Sequence, residues 1–204
     1  MIGALKALGR LRDGNRRFAT DQATPRGLDS AARRELALGQ EPFATILGCS
    51  DSRVPAELVF DQGFGDLFVI RVAGNIVAPS QVGSIEFAAA YFGTKLVVVM
   101  GHEQCGAITA AVADLEGAAG ATSPNLRSIV DRVRPSVETV RAARPDMDRA
   151  TMMREAIRAN VRASTNHLRH GSAILERMIH EDGLMVVGAE YSLETGVVDF
   201  FDGV

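Results

Sequence analysis

Leu96-Val97-Val98-Val99-Met100, running into Gly101-His102-Glu103-Gln104-Cys105, decides the fold. Five large apolar residues in a row, three of them β-branched, do not alternate as a half-solvated strand would. They read as a strand covered on both faces, the pattern of a parallel sheet between helices. Helical spacing resumes from Gln104 to Leu115, so the strand feeds a helix through a short turn that carries His102 and Cys105.

The same grammar extends outward. Phe43-Ala44-Thr45-Ile46-Leu47-Gly48 enters Cys49 as a buried strand, and Pro55 opens a helical turn over 56–60. Leu67 to Val72 is a second strand, closed by Gly74 and Asn75, and 80–92 is a helix ending at Gly93, where a left-handed cap costs glycine nothing. Toward the N-terminus, Leu5, Leu8, Leu11 and Phe18 recur among basic residues as one face of an amphipathic helix. A loop with Pro25 and Gly27 leads to a second helix from the cap Asp29 to Gly39. Beyond a Gly-rich loop over 116–123, Ser123-Pro124 opens another helix. Residues 154–180 are helical with a break at Gly171, and 184–189 is a further buried strand. Val197 to Phe201 is expected antiparallel at an edge. Strands alternating with helices predict an α/β fold, a mostly parallel central sheet flanked by helices. No linker or repeat divides residues 1–204, which read as one domain with a helical arm over 1–40 and an α/β core over 41–204.

Composition bounds the function. A chain of 204 residues, 47% hydrophobic, can bury a core without disulfides or a structural metal. A formal net charge of −3 opposes a nucleic-acid or anionic-membrane surface. No apolar run approaches the roughly 18 residues of a membrane span, and the basic N-terminus does not read as a secretory signal. The two cysteines are expected to be reduced thiols, which places the protein in the cytoplasm.

Three soft ligands stand just past the carboxyl ends of two strands: Cys49 after the first, His102 and Cys105 after the third. In an open α/β sheet that end is where ligands bind. Two thiolates and one imidazole suit zinc, and three protein ligands leave a fourth position for water or substrate. Cys49 reaches the same ion only if the two strands are neighbours, which spacing alone does not establish. Asp51 and Arg53 follow in Cys49-Ser50-Asp51-Ser52-Arg53, an acid near a thiolate-bound metal with an arginine able to fork onto it. The bland alternatives are two structural thiols and a surface ion pair. His167 and His170, three apart on a helix, and His180 at a helix end read as solvated, and Met147, Met152, Met153 and Met178 as core.

Cys-Ser-Asp-Ser-Arg-Val-Pro-Ala-Glu at 49–57, with Gly-His-Glu-Gln-Cys-Gly-Ala at 101–107, resembles the β-class carbonic anhydrases over essentially the whole chain. Gly65 to Arg71, Ala73-Gly74-Asn75 and Ser84 to Phe87 are also similar to the family. The resemblance implies one zinc per chain on Cys49, His102 and Cys105, with Asp51 and Arg53 as a catalytic dyad. It places Gly48, Phe68, Val72 and Gly106 near a narrow apolar cleft, and an N-terminal helix on a second subunit of a homodimer or a dimer of dimers. The activity implied is reversible hydration of carbon dioxide to bicarbonate and a proton through a zinc-bound hydroxide, with activity rising from neutral to alkaline pH. Asp51 released by Arg53 would instead close the metal site. A carbonyl sulfide or carbon disulfide hydrolase on the same scaffold, or a non-catalytic zinc-stabilised binding protein, remain as alternatives. Some members carry a bicarbonate pocket built on a tryptophan, an arginine and a tyrosine. Here Arg71 and Tyr191 stand near two of those places, but Ile46 takes the third and the chain has no Trp, so such a pocket is not expected.

Overall fold

The computed structural model describes residues 2–24, 29–118 and 123–204. The loop expected at Pro25 and Gly27 falls outside them, as do residues 119–122 of the Gly-rich loop. The elements run α1 (Ala4–Ala19), α2 (Ser30–Leu36), β1 (Ala44–Gly48), α3 (Ala56–Val59), β2 (Leu67–Arg71), a 3-10 turn (Ala73–Asn75), α4 (Pro79–Tyr91), β3 (Leu96–His102), α5 (Gly106–Leu115), α6 (Pro124–Ala143), α7 (Arg149–His170), α8 (Ala173–Glu181), β4 (Met185–Tyr191) and β5 (Val198–Asp202).

The five strands are ordered β2-β1-β3-β4-β5. All pairings are parallel except β4 with β5, which closes the sheet with an antiparallel edge as expected. The chain leaves β1 toward β2 on one side and returns to place β3 on the other. The carboxyl ends of β1 and β3 therefore flank a topological switch point, the position at which doubly wound sheets open a crevice.

Successive side chains point to opposite faces of a strand, and the core divides accordingly. Ile46, Val98, Met100, Val187 and Ala189 pack with Leu8 and Leu11 of α1 and Val59 of α3. Leu47, Val97, Val99 and Val186 face Ile85 of α4, Val161 and Leu168 of α7, and Leu175 of α8. A third cluster joins Cys49 and Cys105 to Ile108, Val133 and Ile157, beyond the strand ends. The amphipathic reading of α1 holds, and the helix lies on its own chain's sheet. Asn15 ties it down by donating to the carbonyls of Val59 and Gly196 and accepting from the amide of Val198.

Several boundaries differ from expectation for identifiable reasons. The helix expected from Gln104 starts at Gly106, because Gln104 takes a left-handed backbone (φ 53°) and Cys105 becomes the cap. The helix expected from Arg154 starts at Arg149, where the Asp148 carboxylate accepts from the Thr151 amide. The break at Gly171 is real, with Ser172 capping α8. Arg127 and Arg134 of α6 both turn onto Asp114 of α5, whose side chain is buried. His167, His170 and His180 are exposed, and Met178 is core.

Candidate metal centre

Three backbone features converge on the crevice. β1 ends at Gly48 and hands Cys49 to it; β3 is two residues longer and carries His102 to its tip, where that residue pairs with Tyr191 of β4. The left-handed Gln104 then folds the chain back so that Cys105 caps α5. A non-glycine residue at positive φ is a strained position, held only where the surroundings fix it. Here it is what lets His102 and Cys105 face one point.

The ligand atoms of Cys49, His102 and Cys105 all lie within 4.8 Å of one another, and all three residues are buried. Among the described residues no other cluster of three histidines, cysteines or carboxylates converges in this way. The sulfurs are 4.0 Å apart and not bonded. Two sulfurs each about 2.3 Å from one zinc at the tetrahedral angle stand about 3.8 Å apart, so the spacing suits the ion. His102 supplies the second sign. Its Nδ1 is 2.7 Å from the Glu103 carbonyl, which can only accept, so Nδ1 carries the proton. Nε2 is left with a bare lone pair, fully buried and without a partner. A buried acceptor left unmatched is costly; an imidazole oriented through its other nitrogen is the usual arrangement of a metal ligand.

The two thiols are inequivalent. Cys49 is drawn well below the usual thiol range by the hydrogen bond from Cys105, against its burial, and further by His102 and the amides of Gly74 and Asp51. The Gly74 amide donates to Cys49 Sγ at 3.4 Å. Cys105 is pushed up by the same sulfur–sulfur hydrogen bond and by burial, while the amides of Ile108 and Ala107 pull the other way. Backbone donors from the 3-10 turn and the start of α5 thus surround the pair, a setting that favours thiolate. The residues present fit a zinc ion.

Asp51 lies beside these three residues. Arg53 Nε and Nη2 donate to its two carboxylate oxygens at 2.9 and 2.8 Å, and the Arg53 amide adds a third bond at 3.0 Å. The guanidinium holds the Asp51 carboxyl well below the usual carboxylate range, and the carboxylate in turn raises Arg53. Asp51 Oδ2 lies 3.9 Å from His102 Nε2, beside the ligands but engaged by Arg53.

The carbonic anhydrase family model matches residues 44–198. The chain is 37% identical over 197 residues to carbonic anhydrase 2 of Mycobacterium tuberculosis, covering 96% of this chain and 90% of that protein. It belongs to the carbonic anhydrases. Among solved structures, the β-carbonic anhydrase CafA of Aspergillus fumigatus superposes with a TM-score of 0.76 at 25% identity, covering 98% of this chain and 91% of that one. A structure described as one of two tetrameric β-carbonic anhydrases of Sordaria macrospora gives 0.71 at 25% identity, covering 96% and 97%.

For a β-carbonic anhydrase the remaining expected positions sort cleanly. Gly48, Val72 and Gly106 adjoin the cysteines along the chain or across the sheet, with the Val72 amide bonded to the Gly48 carbonyl at 3.1 Å. Phe68 does not join them. The register Gly48↔Arg71 sets it opposite Thr45, three rungs down, in a ring cluster with Phe87 and Phe92. Ile46 points into the core, and the buried ring of Tyr191 packs on Phe18. Glu103 is a residue that spacing did not single out. Its carboxylate accepts from Ser192 Oγ and the Leu193 amide, and its own amide bonds Tyr191, so the peptide that orients His102 is moored to the loop after β4. The only sequence sign was an acid directly beside a ligand.

Proposed function

We propose that the chain hydrates carbon dioxide reversibly to bicarbonate and a proton, with zinc held by Cys49, His102 and Cys105 and with Asp51 and Arg53 as the working dyad. The observation that carries this reading is the meeting of three ligands from two adjacent strand ends with a carboxylate 3.9 Å from the unpartnered imidazole nitrogen. A structural zinc site has no use for that carboxylate or its arginine.

Zinc bound by three protein ligands keeps a fourth position open and makes water there acidic. Arg53 keeps Asp51 ionised and aims it. Asp51 Oδ2 lies 3.9 Å from the unpartnered His102 Nε2, so it would accept a hydrogen bond from the reacting water and orient that water's lone pair toward the substrate carbon. Gly48, Val72 and Gly106 offer a small, apolar boundary suited to a linear, uncharged gas. Arg53 is itself exposed, which leaves a route for the product proton and anion to solvent.

We further propose that the protein works as a homodimer or a dimer of dimers. The free edge of the sheet at β2 adjoins α4, on which Phe87 and Tyr91 are 48% and 76% exposed and Phe87 packs on Phe68 of β2. Phe87 and Tyr91 stack at 5.0 Å on that helix. Apolar rings beside an unpaired strand edge suit a second copy of the same surface. The outer side of α1, where Leu5 is exposed, is available for such contacts. Two free thiols support a cytoplasmic setting, and among the described residues no helix is long and apolar enough to cross a membrane.

Stopped-flow hydration with metal analysis of the same sample tests the activity. Protein with one zinc per chain is expected to turn over carbon dioxide, and Asp51→Ala to lose turnover while keeping its zinc. Full zinc loading without hydration, but with turnover of carbonyl sulfide or carbon disulfide, would replace this reading with the sister hydrolase.

A further inference from the structure

Arg71, the last residue of β2, has no carboxylate partner among the described residues. Its guanidinium instead forks onto two main-chain carbonyls of one loop. Nε donates to Cys49 O at 3.0 Å and Nη2 to Asp51 O at 2.5 Å. One of these residues supplies a metal-binding sulfur, and the other supplies the carboxylate of the dyad. The base of the fork is rigid, because Arg71 pairs with Gly48 across the sheet and the next amide, Val72, bonds Gly48 O. Arg53 fixes the Asp51 side chain from within the loop. Its one bond out of the loop, from Nη2 to the Gln104 carbonyl at 3.4 Å, is long and reaches the turn after β3 rather than a strand. Asp51 O also accepts the Val54 amide at 3.1 Å, a bond internal to the same turn. Arg71 is the side chain that refers both carbonyls to the strands.

We propose that Arg71 is a positioning residue for hydration: a planar two-pronged clamp that sets the Cys49–Asp51 loop, and so the Asp51 carboxylate, relative to the metal ligands. This rests on the carbonic anhydrase reading for its catalytic consequence but not for its structural one. The geometry needs a rigid fork with two donors on one plane, which arginine has and lysine lacks. It also commits the guanidinium to the loop rather than to a bound anion.

The test compares Arg71→Gln, Arg71→Lys and Arg71→Ala with the parent, each zinc-loaded, by stopped-flow hydration and by hydrogen exchange of the amides of residues 50–54. Removing an outer partner of a metal ligand typically costs about 10–100-fold, so Arg71→Gln is expected to lower kcat by about that factor. Arg71→Lys, able to reach one carbonyl, is expected to fall between. Methylguanidinium added to Arg71→Ala should restore part of kcat, and should restore none to Asp51→Ala. Exchange at 50–54 should quicken about 10-fold or more while β3 keeps its protection. A kcat within about twofold of the parent, a rise in KM for bicarbonate at unchanged kcat, or an exchange increase spread over the whole chain would each overturn the proposal. If the parent hydrates no carbon dioxide, the function fails, and the exchange measurement still decides whether Arg71 holds the loop.

Discussion

Two glycines press on one valine, and the difference between them isolates how the fold supports the metal centre. A Cβ at Gly101 would stand 2.7 Å from Val161 Cγ2 and 3.2 Å from Ile157 Cγ2; a Cβ at Gly188 would stand 2.8 Å from Val161 Cγ1 and 3.0 Å from Asp202 Cβ. Carbon atoms rest about 3.5–4.0 Å apart, so either alanine must displace its surroundings by close to an ångström. Overpacking of this kind costs about 1–3 kcal/mol. For a chain of this length that is about 2–12 °C in Tm. What yields differs. Gly188 lies in β4 with β3 on one side and β5 on the other, so α7 has to give way. Gly101 lies beyond the last β1–β3 pair, Gly48↔Met100, and is held only by Glu190 of β4. The strand tip yields, and His102 moves with it. Gly101→Ala and Gly188→Ala are therefore expected to lose similar stability. Only Gly101→Ala should weaken zinc, by about 10-fold or more. Thermal unfolding of metal-free protein and chelator competition for zinc read the two quantities separately. Equal zinc affinities in the two variants would refute the claim that the one-sided tip of β3 sets the imidazole.

Three further outcomes follow from the same geometry. Asp51 has a folded-state pKa below its unfolded value of about 3.9, so its contribution to stability is complete above that pH and is lost as pH falls through the lower folded value. In metal-free protein, Arg53→Gln should therefore move the acid unfolding limb to higher pH, and an unmoved limb between pH 2 and 5 would contradict the pairing. After zinc removal, Cys49 should be alkylated by iodoacetamide ahead of Cys105, because its thiol is lowered and the other raised. Peptide mapping that finds the reverse order, or no protection by zinc, would count against the site. Replacing Phe87 and Tyr91 together by Glu should shift the assembly toward monomer in sedimentation velocity, since Tyr91 is largely and Phe87 half exposed on the face beside β2. An unchanged oligomer would move the interface elsewhere.

The strands were legible because their burial is extreme. Leu96 to Met100 has no polar residue to misplace, and the structure buries every one of its side chains. Helix starts were legible where a cap precedes the apolar pattern, as at Asp29 and Ser123. They were lost where a long-range demand overrides local spacing: α5 begins two residues late because the turn must deliver Cys105, and helical periodicity carries no trace of Gln104's reversed backbone. The ligands could be named from the residue types at strand ends, but their convergence depends on β1 and β3 being neighbours, a fact of sheet order that local sequence does not encode. The same limit hides Arg71 and Glu103, which work by binding main-chain groups or loops far along the chain, and main-chain acceptors have no letter in the sequence. What the fold adds to the motif is therefore a set of anchors. Glu103 moors the imidazole's peptide to β4, Gly74 donates to one sulfur, and Arg71 ties the carboxylate's loop to β2. Each of the three reactive groups is thus held from a different strand or turn. A change at Glu103 should therefore act on the imidazole alone, whereas a change at Arg71, bonded to both Cys49 O and Asp51 O, acts on the loop that carries a sulfur and the carboxylate.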